Sequence, residues 1–472
     1  MSRAQICPLL LSIGFLLTGC ASYSGIQGEA HALVPQTLAF HTEDTSGAWP
    51  REDWWTMFGD PKLGALVQQA LQGNPSLRAA EARVRAARAL ADAAGASLYP
   101  RLDLDASATR QRISRNDIYP PPFGGSWVNQ GRIALDFNYE FDFWGKHRAE
   151  LEAALGDARA VSADAAQARL VLATAVAQTY FQTQTDLAAL AVARRTLADR
   201  GGLVELNRLR ASRGLEAGIA VRQSDQQIAS SRVEVSAAEA AVQLDRHQLA
   251  ALLGLGPDAP LEVEQALHPY GEALALPANL PADLLARRPD IAAQRWRLEA
   301  AAAQIGAAKA DFLPNVNLAA FIGFGATGLD GLNLASPGSR IAGVGPALHL
   351  PIFDAGRLRA NLRGRYGEYD AAVEQYNQAL VDALRQVADQ ITAARAVQQQ
   401  LADQANALAA AEDAYQLTLD RYRAGLTSYL DVLVNEERVL AERLNGVRLQ
   451  GRSLALAVGT IRALGGGYRA QS

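Results

Sequence analysis

One segment of this chain occurs twice, as residues 75–254 and again as residues 289–465. The offset between matched positions changes from 214 to 211 where the pattern turns from helical to strand-like. A unit of this length is not a short solenoid repeat, and its long helices cannot bury their faces alone. We therefore expect two structural repeats that pack against further copies or partners. The matched pairs are Pro75 and Pro289, Pro100 and Pro314, Gly145 and Gly356, Gly214 and Gly425, and Gly254 and Gly465.

The N-terminus has the pattern of a lipoprotein signal. A short apolar run follows Arg3 and ends at Cys20, in the order Leu-Thr-Gly-Cys. This order resembles the lipobox of bacterial lipoproteins, in which the cysteine becomes the lipidated first residue. Ala21 stands where inner-membrane lipoproteins tend to carry Asp, which favours the outer membrane. The alternative is an ordinary signal peptide with a chance cysteine.

The chain divides by these patterns into six segments. The predicted layout is a signal peptide over 1–19, a lipidated N-terminal segment over 20–60, a first repeat over 61–254, a linker over 255–288, a second repeat over 289–465 and a tail over 466–472.

Several functions are not expected from the composition. The net charge of -4 provides no basic surface for nucleic acid. The six His residues form no metal-like cluster, and neither H-E-x-x-H nor G-x-S-x-G occurs. Gly323, Gly325 and Gly328 spell G-x-G-x-x-G, but no helix pattern follows as a dinucleotide site requires. We therefore expect no enzyme, no catalytic residue, no metal site and no cofactor other than the lipid on Cys20.

Each repeat contains a pair of strands with alternating apolar and polar residues. The predicted strands cover about 101–112 and 131–143, then about 315–325 and 341–353. A soluble sheet with one buried face shows the same alternation, but the long loops 110–130 and 326–341 favour a membrane barrel. Two copies of four strands make a barrel whose interior side chains fill, whereas three copies make twelve strands and leave a lumen. Three copies are therefore preferred.

The helices carry apolar residues at a spacing of 3.5, which indicates coiled-coil packing. One predicted seam runs from Leu380 to Tyr422, and another runs from Leu426 to Ile461 with an interruption at Glu437. The stretch 357–421 would reach about 97 Å as a helix, nearly the length of the two shorter helices of a repeat placed end to end. We therefore expect one long helix beside two stacked short ones.

Three stretches of the chain carry a resemblance to a known family. They are Trp54, Trp55, Phe58, Gly59, Asp60, Pro61, Leu63, Asn74 and Pro75; the run 284–291 with Arg288, Pro289 and Asp290; and Arg421, Tyr422, Gly425, Ser428, Leu430, Asp431 and Val432. These stretches resemble the outer-membrane factor family of Gram-negative efflux systems, in its lipoprotein branch. This resemblance implies a mainly α-helical trimer with a twelve-stranded membrane β-barrel and an α-helical periplasmic tunnel. It also implies a periplasmic adaptor, a proton-driven inner-membrane pump and export of drugs and toxic compounds.

Two alternatives stay open at this level. One is a lipid-anchored periplasmic coiled-coil scaffold with soluble hairpins, and the other is the same duct serving polypeptide secretion. No residue selects a substrate.

Two groups of residues are candidate sites. The resemblance implies that the helix turns meet the adaptor, although a purely local helix cap is an alternative. It also places a constriction just beyond the second turn, where acidic residues of three copies would form a ring; a solvated face or a register-setting polar residue is the alternative. The turn residues are Arg210, Gly214, Leu215, Arg421, Gly425 and Leu426, and the constriction residues are Asp431, Glu436 and Glu437.

Overall fold

The computed structural model describes residues 22–34, 48–263 and 287–469. The predicted signal peptide, Cys20 and most of the predicted linker lie outside these residues. The elements in chain order are α1 (Pro61–Gly73), α2 (Pro75–Ala96), β1 (Arg101–Arg112), β2 (Trp127–Phe141), α3 (Lys146–Ser212), α4 (Gly218–Leu252), α5 (Pro289–Ala310), β3 (Asn315–Gly328), β4 (Arg340–His349), α6 (Arg357–Arg423) and α7 (Tyr429–Ala463), with 3-10 helices at Trp54–Phe58 and Pro337–Ser339.

The duplication in the sequence is a duplication of structure. Each repeat consists of a 22-residue helix, two strands, a 67-residue helix and a 35-residue helix. The predicted fold class, two mainly helical repeats that each carry a β-hairpin, is therefore confirmed. The chain also divides into two compact units, each of which contains parts of both repeats. They are a sheet unit (1–32, 84–161 and 294–376) and a helical unit (33–83, 162–293 and 377–472).

Within the helical unit the short helices stack end to end, as expected. The side-chain amide of Asn74, just before α2, donates to the carbonyl of Leu252 at the end of α4, at 2.8 Å. In the second repeat, Arg288 donates to the carbonyl of Ala463 at the end of α7, at 3.0 Å. These bonds satisfy carbonyls that a helix C-terminus leaves without intrahelical partners.

The main core of the helical unit gathers around the 3-10 helix. Trp54 and Trp55 pack with fully buried side chains of α1, α3, α4 and α7. Tyr180 is fully buried, and its hydroxyl donates to Asp60 at 2.6 Å. The same carboxylate accepts the amide of Lys62 and so caps α1. The core thus fixes the N-terminal segment onto the long helix.

The predicted seams are correct for most of α6 and for the end of α7. Leu380, Val387 and Tyr422 are buried in α6, as are Leu454 and Ile461 in α7. At the start of α7 the seam is correct for Leu433 but wrong for its first two leucines. Leu426 and Leu430 are exposed, and the buried residues there are Tyr429, Val432 and Leu433.

The sheet unit holds one antiparallel sheet in the order β1-β2-β3-β4. Three predicted strand boundaries are corrected. β3 continues to Gly328, three residues beyond its predicted end. β2 begins at Trp127 because its ladder with β1 continues through polar residues to the pair Arg112 and Trp127. β4 ends at His349, before Pro351, which has no N–H to donate to a ladder.

One described helix, α3, contains a stretch that is long and apolar enough to cross a membrane by length and composition. Core helices pass the same test, and 44% of this stretch is buried within the protein. We interpret α3 as a core helix.

Candidate functional site

The two helix-to-helix turns have the same backbone geometry. In the first turn, the amides of Leu215 and Gly214 donate to the carbonyls of Arg210 and Ala211, at 2.9 and 3.0 Å. In the second, Leu426 donates to Arg421 at 2.8 Å and Gly425 to Tyr422 at 2.9 Å. The two glycines have φ of 73° and 77°, where a side chain would be strained. These paired bonds are the Schellman motif that ends many helices.

Each turn also presents apolar side chains to solvent. Leu215 is 66% exposed and Leu426 is 70% exposed. One helical turn later, Ile219 and Leu430 are exposed as well, again at equal positions of the two repeats. The local cap and the outward surface therefore coexist, since the glycines make the cap and the leucines make the surface.

Arg210 differs from its counterpart Arg421, because it points into the protein rather than into solvent. Its guanidinium lies 4.7 Å from the centroid of the Tyr422 ring and donates to the Tyr422 carbonyl at 3.2 Å. Its Nε lies 3.6 Å from Glu216. Arg210 therefore joins the two turns.

Tyr422 is the centre of this contact. Its fully buried hydroxyl lies 2.6 Å from the side-chain amide of Asn207 and 2.9 Å from the Glu216 carboxylate. The atoms that face the hydroxyl are Oδ1 of Asn207 and Oε2 of Glu216, and these two acceptors share its one proton. Burial and Glu216 raise the pKa of Tyr422. We call Asn207, Arg210, Glu216 and Tyr422 the tip cluster.

Sequence reasoning placed Tyr422 in a seam but missed Asn207 and Glu216. One signal was available, because Tyr422 stands where the first repeat has Ala211. A residue that departs from an otherwise matched position is a candidate for a role specific to one copy.

Asp431 is exposed and caps α7. Its carboxylate accepts the hydroxyls of Thr427 and Ser428, at 2.6 and 2.7 Å, and the Ser428 amide at 3.1 Å. The hydrogen bonds from Thr427 and Ser428 hold the pKa of Asp431 below its usual value. The carboxylate therefore stays charged at neutral pH.

Glu436 does not meet the expectation for a constriction residue. Its side chain is 8% exposed and pairs with Arg200, which is 4% exposed, at 3.1 Å. Arg200 also donates to Ser231 at 2.8 Å, so the pair connects α3, α4 and α7. Burial raises the pKa of Glu436, and Arg200 opposes that rise. Glu437 is exposed, so Asp431 and Glu437 are the two acids here that remain open to solvent.

The sheet has one largely apolar face, most of which is exposed in the described part of the sheet unit. The register places most of the large apolar residues of the four strands on this side. Leu104 is 68% exposed and Val344 is 78% exposed. The opposite face is polar and includes Arg132, which binds Asp136 through two bonds of 2.9 and 2.6 Å.

The first described residues lie beside the start of α6. Arg359 donates to the Ser22 carbonyl, and the ring of Tyr23 packs edge-on against Phe312 at 5.6 Å. The amide of Glu29 donates to Asp370 at 3.1 Å. The segment that follows Cys20 is therefore held in the sheet unit, close to the helix that follows β4.

Comparison with known proteins gives consistent matches. The family model described as outer membrane efflux protein matches residues 66–255 and 280–467. The multidrug resistance outer membrane protein MdtP of Escherichia coli strain K12 is 31% identical over 480 residues, which cover 100% of this chain and 98% of that protein. The fusaric acid resistance protein FusA of Burkholderia cepacia is 36% identical over 371 residues, covering 76% of this chain and 69% of that protein. The structure of the outer membrane protein VceC of Vibrio cholerae matches with a TM-score of 0.81 at 39% identity, covering 89% of this chain and all of that one.

Proposed function

Because this chain belongs to the outer membrane efflux protein family, we propose that three copies form a duct through which small molecules leave the periplasm. Membership confirms the outer-membrane location and the efflux-channel role that the sequence predicted. The scaffold alternative is set aside. The proposed duct carries its cargo through without a catalytic step.

The open sheet is the observation that supports three copies. Among the strands of the described residues, β1 and β4 each have one paired side and one free edge, and free edges pair with further strands. Twelve strands from three chains close a barrel with a lumen, whereas eight strands leave an interior filled by side chains. The exposed apolar face then meets lipid, and the polar face with Arg132 and Asp136 lines water.

The helix turns are the proposed docking surface for a periplasmic adaptor bound to a proton-driven inner-membrane pump. The exposed leucines at both turns support this assignment, because apolar surface that stays uncovered at a helix end favours binding to another protein. The relatives are named for resistance to multiple drugs and to fusaric acid. Those names support a small-molecule cargo over polypeptide secretion.

A strain that lacks this gene tests the proposal. The wild-type gene should restore survival across a panel of antibiotics, dyes and metal ions, and the protein should run as a urea-resistant trimer from the outer membrane. The variant Leu215→Asp/Leu426→Asp should abolish resistance while trimers persist, because the added charges oppose apolar docking. The matched control is Val233→Asp, which is equally exposed but lies within α4. Full resistance in the double variant would refute docking at the turns.

We also propose a lipid on Cys20, which would begin the chain two residues before Ser22. The position of Ser22 beside the start of α6 supports this, because α6 follows the membrane strand β4. Cys20→Ser should leave unlipidated precursor that is only partly released from the membrane, since the strands remain as a second anchor. Mass spectrometry that finds an unmodified Cys20 at the mature N-terminus would contradict the lipid.

For the constriction we propose Asp431 and Glu437 of the three copies. Carboxylates gathered in a narrow passage repel each other, and a bound cation relieves that repulsion. Asp431→Ala/Glu437→Ala should raise single-channel conductance and weaken block by divalent cations in a planar bilayer. Asp403→Ala, a change at an exposed acid of α6, is the control. Unchanged conductance and block in the double variant would place the constriction elsewhere.

A further inference from the structure

The outer ends of β1 and β4 concentrate positive charge on one face of the sheet. Within the four described strands, the apolar face carries three charged residues, Arg110, Arg112 and Arg340, and all three are arginines next to the loops 113–126 and 329–339. Every acidic residue of the strands lies on the opposite face. The charged residues of that opposite face are Arg101, Asp103, Asp105, Arg132, Asp136 and Glu140.

The arginines begin where the apolar surface of β1 stops. Leu102, Leu104, Ala106 and Ala108 share a face with Arg110. The eight residue-to-residue steps from the first of these to Arg110 measure about 27 Å along the strand. A tilt of about 40° reduces this to about 20 Å, close to the roughly 25 Å apolar band of an outer-membrane barrel. Arg110 and Arg112 therefore lie at the level of lipid headgroups.

A tryptophan marks the same level independently. Trp127 is the cross-strand partner of Arg112 on this face, and it is exposed. Exposed tryptophans in membrane barrels concentrate at the boundary between the apolar band and the headgroups. The outer boundary thus carries a tryptophan ring directly beside a guanidinium.

The three arginines have room for a ligand. All three are exposed. Within the described residues their guanidinium groups make one hydrogen bond, a long one of 3.3 Å from Arg112 to the Gly125 carbonyl. The acids of the adjoining loops, Asp117 and Asp330, lie outside the strands. Guanidinium groups pair with phosphate through two parallel bonds, which makes a phosphorylated group the best match to this surface.

We propose that Arg110, Arg112 and Arg340 bind the phosphates of an outer-leaflet glycolipid of the lipid A class, with Trp127 packed at the headgroup level. This inference rests on the proposed membrane orientation of the barrel. Basic residues near an anionic membrane surface each contribute about a fivefold gain in binding. Three of them together are expected to contribute about 100-fold.

The test titrates the purified full-length protein in detergent with bisphosphorylated lipid A and follows binding by native mass spectrometry. Arg110→Gln/Arg112→Gln/Arg340→Gln should weaken binding about 100-fold, and replacement of all three by Lys, which keeps the charge but not the two parallel bonds, should give binding between that of the wild type and that of the Gln variant. The control removes three exposed arginines of α2, Arg83, Arg85 and Arg88, and should leave binding unchanged.

Further arms separate the possible sources of the signal. Lipid A without phosphates should bind the wild type as weakly as the Gln variant does, and inorganic phosphate should not displace the lipid. Equal binding by wild type and Gln variant, or by both lipids, would overturn the inference. If the triple variant fails to assemble, each single Gln variant should lose about fivefold, and no loss in any of them would also refute it. The same mass spectra give the number of chains in each complex, so a failure of the proposed trimer would be seen separately from a loss of lipid binding.

Discussion

Replacing Arg200 by Met leaves Glu436 buried without its partner. The two side chains are 4% and 8% exposed, with Nε and Oε2 3.1 Å apart. Removal of one member of a buried ion pair costs about 3–5 kcal/mol, because the remaining charge is neither solvated nor paired. At the lower value of about 3 kcal/mol, backbone amides of α3 and α7 near Arg200 and Glu436 should exchange with solvent about 100-fold faster than in the wild type.

The carboxyl group limits this cost by taking up a proton. Burial already raises the pKa of Glu436 and Arg200 opposes the rise, so the pKa rises further when Arg200 is lost. A group whose pKa is higher in the folded protein contributes stability at low pH and loses it as the pH rises through the folded pKa. Arg200→Met should therefore be destabilised more at about pH 8 than at about pH 5.

Hydrogen exchange followed by mass spectrometry measures this locally and does not require two-state unfolding. The control is Arg195→Met, because Arg195 and Asp199 are 72% and 54% exposed at 3.9 Å, and such pairs contribute less than about 1 kcal/mol. Arg200→Met/Glu436→Leu should recover most of the protection, since an apolar pair leaves no buried charge. Equal exchange in the two single variants, or no dependence on pH, would refute the reasoning.

Three further outcomes follow from the turns. Tyr422→Phe removes the bonds to Asn207 and Glu216 and leaves both partners buried, so exchange at the turns should rise by about tenfold; no change would show that water replaces the hydroxyl. Gly425→Asp strains a backbone at φ 77° and adds charge, so it should block efflux while trimers persist on a denaturing gel; normal drug resistance would end that hypothesis. Asp431 has a lowered pKa, so its contribution to capping α7 is present above the unfolded pKa and is lost as the pH falls through the folded one. Protection from exchange at the start of α7, taken relative to the intrinsic exchange rate at each pH, should fall in acid in the wild type but not in Asp431→Asn, and parallel profiles would contradict this.

The repeat architecture and the strand faces were predictable because local chemistry determines them. Gly214 and Gly425 mark turns, since each needs a positive φ that other residues rarely adopt. The alternation in Leu102 and Leu104 predicts a face directly, because side chains of a strand alternate sides. The observed register keeps those residues on the same side as Leu135 and Phe137 of β2.

The tip cluster was not predictable in the same way. Asn207 and Tyr422 are 215 residues apart, and their contact depends on how two helix pairs pack. No local rule places an amide beside a hydroxyl over that separation. The departure from the repeat, Tyr422 in place of Ala211, was the one available clue.

The error at the start of α7 has a physical explanation with a functional consequence. Successive residues of a helix point about 100° apart. The seam drawn through Leu426 and Leu430 therefore contains Glu437, whereas the face that is buried in the structure contains Glu436. The sequence allowed that seam because α7 begins with two apolar faces. One face, with Tyr429 and Val432, packs inside the chain, whereas the leucines stay exposed. A second apolar face that its own chain leaves uncovered is expected of a helix that packs against another protein, as the proposed duct requires.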